Sequence, residues 1–109
     1  MRNRVNVDKY GLESMVRHTI SRNPDMRLHV RRMPMRLVSS PLKMDYAGSS
    51  SVDIEVDVDV RYGADVIKTV EKASQEIRDN LLKLTRVNVK SLEINVKDIF
   101  DEKEAAAKV

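Results

Sequence analysis

Apolar and polar residues alternate without a break from Val52 to Val60, in the run VDIEVDVDV. Period two is the mark of a strand with one buried face, and this is the clearest strand the chain predicts. Tyr62-Gly63 ends it, and Asp65 follows in the first turn of a helix, where a negative charge suits the helix dipole. The period then lengthens. Val66, Ile67, Val70, Ala73, Ile77, Leu81 and Leu84 recur at steps of three and four, with Lys68, Glu71, Lys72, Gln75, Glu76, Arg78, Asp79 and Lys83 on the opposite side. That is an amphipathic helix with one apolar stripe, closed at Thr85-Arg86 without a glycine. Val87 and Val89 lead into a last strand, in which Leu92, Ile94 and Val96 alternate with Glu93, Asn95 and Lys97.

The first half reads less evenly. Val5 and Val7 predict a short strand, and Asp8 is a helix N-cap by residue type. Leu12, Met15, Val16, Thr19 and Ile20 carry a helix over Lys9–Arg22, weakened by Gly11 and stopped by Asn23-Pro24. In MRLHVRRMPMRLV the apolar set is first Met26, Leu28 and Val30, then Met33, Met35 and Leu37. A phase slip at Arg31-Arg32 predicts a bulge, and Pro34, which has no N–H to donate, assigns this strand to a sheet edge. SSPLKMDYAGSSS is a loop by composition. The predicted order is (β)-α-β-β-α-β: an α+β two-layer sandwich, ferredoxin-like, with two helices on one face of a mostly antiparallel sheet. Residues 1–100 form one domain, and residues 101–109, DEKEAAAKV, form a charged tail.

Composition sharpens this reading. At 109 residues the chain holds one core, and with no cysteine it has neither disulfide framework nor thiol nucleophile. No apolar run reaches the ~18 residues of a membrane span, and the N-terminus lacks the apolar stretch of a signal peptide. The net charge of +3 is unevenly placed. Residues 1–50 hold ten Lys/Arg against four Asp/Glu, whereas residues 51–109 hold ten against thirteen. The basic half raises nucleic acid or anionic lipid as a partner, but one Phe and three Tyr offer few platforms for base stacking.

The candidate chemistry lies in two places. Asp53, Glu55, Asp57 and Asp59 stand on one side of the alternating strand. Residues two apart on a strand are about 6.5–7 Å apart, too far to converge on one cation whose ligands lie at about 2.0–2.6 Å. A solvated face neutralised by Arg27, His29, Arg31 and Arg36 of the preceding strand is the simpler reading, each cross-strand pair contributing about 0.2–1 kcal/mol. The arginine-rich strand itself has two readings: the other half of that ladder, or a surface for phosphate, nucleic acid or lipid. Arg27, Arg31, Arg32, Pro34 and Arg36 are the candidate partner-binding residues. His18 and His29 have no partner at metal-ligand spacing. A G-x-S-x-G elbow, a phosphate loop and a dinucleotide fingerprint are absent. No cofactor, metal, catalytic residue or small-molecule substrate is expected.

The run from Val52 to Phe100 resembles the alkaline shock protein and Gls general-stress family, the envelope stress response proteins of Gram-positive bacteria. That family pairs an alternating strand ending in V-x-Y-G, here Val60-Arg61-Tyr62-Gly63, with an amphipathic helix, here Ile67 to Leu84 with Gln75 inside, and a valine-rich last strand, here Leu92 to Val96. The opening VNVDKYGLESMVRHTI is similar to the family's start. The family commonly has Thr-Gly where this chain has Thr85-Arg86, and Gly-Val where it has Asp25-Met26. The resemblance implies a non-enzymatic cytoplasmic protein that lies under the cell membrane, associates with itself, and is held there by a small membrane-anchor protein. The alternative from the residues alone is a small basic nucleic-acid-binding module using the Arg-rich strand.

Overall fold

The computed structural model describes residues 7–32, 38–46 and 50–101. Eight elements follow one another: α1 (Lys9–Ser21), β1 (Met26–Leu28), β2 (Arg31–Arg32), β3 (Val38–Ser39), β4 (Leu42–Tyr46), β5 (Ser51–Arg61), α2 (Val66–Thr85) and β6 (Asn88–Phe100). The predicted α+β sandwich, with two helices on a sheet, is what the chain forms. The strand expected at Val5 begins outside the described residues, as do Met33–Leu37 and most of the tail.

The alternating run becomes the central strand. Val52, Ile54, Val56, Val58 and Val60 of β5 are all buried against the helices. On one side β5 takes two short antiparallel partners in succession: β1 beside its C-terminal half (Met26 opposite Val60) and β4 beside its N-terminal half (Leu42 opposite Val56). On the other side it pairs with β6 in parallel over its whole length. Two of the three pairings in this sheet are therefore antiparallel. Parallel neighbours need a long crossover, and α2 supplies it. Register slips at two points, where Val89 is followed by Ser91 and Val96 by Asp98 against consecutive residues of β5. Lys90 and Lys97 are the extra residues, and each bulge explains a step of three in the apolar pattern: Val89 to Leu92, Val96 to Ile99.

One core joins the layers. Leu12, Val16 and Ile20 of α1 meet Ala73, Ile77 and Leu81 of α2 over Met26, Leu42, Met44 and Val89 of the sheet. In α2 the buried stripe is narrower than the sequence pattern, because Ile67 and Leu84 are exposed while Thr69 is buried. Both helices start as their sequences ask. Asp8 accepts a bond from the Gly11 amide (2.9 Å) and Asp65 from the Lys68 amide (3.1 Å). Tyr46 Oη donates to the Lys9 carbonyl at 3.4 Å, tying the end of β4 to the start of α1. Burial of this phenol, with the carboxylates of Glu13 and Asp8 nearby, raises its pKa above the ordinary value of 10.0.

Two expectations about the first half need correction. The serine-rich loop contains a strand: Leu42 and Met44 of β4 are buried and Lys43 and Asp45 exposed. Two alternations are too short a signal to outweigh Ser, Pro and Gly by composition, and pairing with β5 decides the matter. The bulged strand, in turn, is more than bulged. After β1 the chain leaves the sheet, forms the small β2–β3 hairpin (Arg31 opposite Ser39, Arg32 opposite Val38), and returns as β4. The root of this excursion is pinned on both sides by one residue: the His29 amide donates to the Asp57 carbonyl (2.9 Å) and the Asp57 amide donates to the Pro41 carbonyl (2.7 Å).

The end of α2 carries strain. Arg86 is its C-cap and adopts the left-handed conformation (φ 60°, ψ 21°), its amide donating to the Leu82 carbonyl. A side chain there costs about 1–2 kcal/mol relative to glycine. Arg86→Gly is therefore expected to raise stability by about 1 kcal/mol, after the greater entropy of the unfolded glycine is subtracted. A urea midpoint that falls on this substitution would contradict the expectation.

Candidate functional site: the open face of the sheet

The face of the sheet turned away from the helices is polar. Alternation along β5 puts Asp53, Glu55, Asp57 and Asp59 there, with Lys43 and Asp45 of β4 on one flank and Ser91, Glu93, Asn95 and Asp98 of β6 on the other. The ladder of ion pairs predicted for these carboxylates exists at one rung. Asp59, with only 5% of its surface exposed, lies directly opposite Arg27. Its Oδ2 accepts from Arg27 Nε at 3.2 Å, and its Oδ1 is 2.6 Å from His29 Nδ1. The Arg27 guanidinium also stacks over the Phe100 ring, 4.4 Å from its centroid. Every polar atom of the buried carboxylate is thus engaged, as burial of a charge demands.

Along the rest of the row the partners are neutral. Ser91 Oγ donates to Asp53 at 2.7 Å, and the Asn95 amide donates to Asp57 at 3.1 Å and to Glu55 at 3.2 Å. No ion pair among the described residues reaches Asp53, Glu55 or Asp57. Asp45 stands opposite Asp53, and Glu55 beside Glu93. Among the described residues the predicted neutralisation is therefore seen at Asp59 alone; Arg31 enters β2, off the main sheet, and Arg36 lies outside the described residues. Ser91 and Asn95 were not assigned this role by sequence reasoning; the parallel register that brings β6 beside β5 is what makes them partners. Among the described residues, no group of three or more His, Asp or Glu side chains converges as a metal site.

Asn95 offers a direct probe. Asn95→Asp would place a third carboxylate between Glu55 and Asp57 and remove two donated bonds. Stability at neutral pH is expected to fall by about 1–2 kcal/mol. Salt screens the repulsion, so the gap to the parent chain should narrow as ionic strength rises. A gap independent of salt would contradict a crowded acidic row.

The candidate partner-binding residues separate. Arg27 is committed to Asp59 and Phe100 within the sheet. Arg31 and Arg32 form β2 of the hairpin, off the main sheet. Pro34 and Arg36 lie outside the described residues. Between Asp25 and Asp45 the chain has five Lys/Arg and no acid, so the excursion is a basic element rooted beside an acidic face. His18 lies exposed on α1, beside the groove that α1 and α2 form with Met15, Arg22, Asn80 and Leu84.

A helix pair over a mixed sheet, with a polar open face and a charged excursion from one edge, defines a small α+β module built around surfaces. The family model for the alkaline shock protein family, of cell envelope-related function, matches residues 38–100. This chain belongs to that family. Among solved structures, a variant of the C-terminal domain of MamM in a zinc form has a similar fold, with TM-score 0.51 and 15% identity over 82% of this chain and 84% of that one. No curated protein sequence matches the chain.

Proposed function

We propose that this chain is a non-enzymatic interaction protein of the cell-envelope stress response, which associates with itself and with a small membrane-anchor protein at the inner face of the cell membrane. Membership of a family with cell envelope-related function carries the reading. The surfaces are consistent with it: the carboxylates of the open face are dispersed along β5, and where Lys43, Asp45, Asp53, Glu55, Ser91 and Glu93 line a shallow, open depression they form no metal-ligating cluster among the described residues. Among the described residues no helix is long and apolar enough to cross a membrane, and the proposed attachment is through a partner. The basic excursion carrying Arg31, Arg32 and Arg36 is the element of this chain best suited to an acidic partner.

The test is localisation of the full chain in its own cells, followed by cross-linking and recovery of what it touches. Peripheral localisation that becomes diffuse when a co-recovered membrane protein is deleted supports the reading. A chain that is diffuse from the start, with no membrane protein recovered, contradicts it.

The excursion also favours a second reading, a basic module for nucleic acid. Binding of that kind weakens steeply with salt, by a slope set by the number of phosphates contacted. A gel shift at low salt, abolished by Arg31→Ala with Arg32→Ala, would establish it; the absence of any shift at low salt would remove it.

A further inference from the structure

The sheet has two unlike edges. The β1/β4 edge is short and broken by the hairpin excursion, which is how an edge is kept from pairing. The β6 edge is continuous over thirteen residues and, among the described residues, pairs only through its inner side with β5. Near its ends the Val89 carbonyl accepts from Arg78 and the Ile99 amide donates to Asp98, but between them, among the described residues, the outer side presents unpaired backbone donors and acceptors, whose natural complement is another strand. Beside this edge the helix layer ends early. Val96 is 37% and Ile99 46% exposed, although both lie on the face that α2 covers elsewhere.

We propose that β6 is the self-association surface, pairing antiparallel with β6 of a second copy to make one continuous sheet across a two-fold axis. The inference rests on the self-association part of the proposed function and names its surface. The strand is self-complementary. With the axis at Ile94, Leu92 of each copy faces Val96 of the other and Ile94 faces itself, so apolar meets apolar across the whole regular stretch. Directly opposed residues of an antiparallel pair share a face. This register therefore keeps both helix layers on one side and brings the exposed Val96 side chains of the two copies under a common apolar cover. The bulges at Lys90 and Lys97 flank the regular stretch Ser91–Val96, which confines docking to that stretch and opposes slippage. An isologous contact of this kind closes on itself as a dimer.

The absence of native cysteine allows a clean test in the full chain. Glu93 and Asn95 are opposed across the proposed axis, so chains carrying Glu93→Cys and Asn95→Cys, mixed and oxidised, should form several-fold more disulfide dimer than either alone. Val96→Lys should shift the chain to monomer in sedimentation while leaving its circular dichroism unchanged. An oligomer that persists in Val96→Lys and gives no cross-link at these positions overturns the β6 assignment but leaves self-association standing. A parent chain that stays monomeric at its highest soluble concentration overturns both.

Discussion

Truncating Ile77 to alanine is expected to lower unfolding free energy by about 3 kcal/mol, read as a fall in urea midpoint at unchanged slope. Ile77 is fully buried at the middle of α2 and belongs to the cluster in which Leu12, Val16 and Ile20 of α1 meet the β5 valines. Removing three carbons there loses their transfer free energy and leaves a cavity that both layers line. A domain of this size has about 5–15 kcal/mol in all, so the variant should be visibly less stable at 37 °C. Ile67→Ala, on the same helix but exposed, is the control and should change stability by no more than about 0.5 kcal/mol. Equal effects at the two positions would contradict the observed seating of α2.

The second large effect is expected at Asp59. Asp59→Ala removes a buried carboxylate that accepts from Arg27 and pairs with His29. Hydrogen bonds to charged groups contribute about 1.5–3 kcal/mol each when buried, but Arg27 is half exposed and its share is screened. A net loss of about 2 kcal/mol follows. Asp59→Asn should lose less, since the amide oxygen still accepts one bond. The effect should also be local. His29 is the last residue held before the excursion, and its amide bonds to the Asp57 carbonyl. Hydrogen exchange at the amides of His29 and Asp57 should therefore rise ahead of exchange in α2. Uniform acceleration across the domain would mean that Asp59 does not act at the hairpin root.

The contrast between these residues shows what the sequence makes legible. Periodicity exposed β5, α1, α2 and β6, because each buries one face against a common core and repeats its pattern long enough to be read. Even the bulges of β6 are written in it, as the three-residue steps from Val89 to Leu92 and from Val96 to Ile99. The excursion was visible only as a phase slip at Arg31-Arg32. A slip signals that alternation fails, not whether one residue or a whole hairpin is inserted, since that depends on where the chain can rejoin β5. Rejoining happens at Leu42, inside a stretch whose composition reads as loop.

The same non-local choice decided the polar face. Four alternating acids were plain in the sequence, and so was their dispersal along the strand. Their partners were not, because partners follow from register. Arg27 and His29 fall beside Asp59 through antiparallel pairing with β1, while Ser91 and Asn95 fall beside Asp53, Glu55 and Asp57 through parallel pairing with β6. The outcome is a face with one buried charged cluster at its end and a crowded, neutrally bonded acidic row along its middle.

Because dispersal of the acidic row is the premise for a face that grips no ion, the most direct measurement is a calorimetric titration of the full chain with Zn²⁺. No stoichiometric binding and no change in melting temperature are expected, since Asp53, Glu55 and Asp57 are strung along a pleated strand and Asp59 is already held by Arg27 and His29. One tightly bound zinc per chain, lost in Asp59→Asn or His29→Ala, would contradict it.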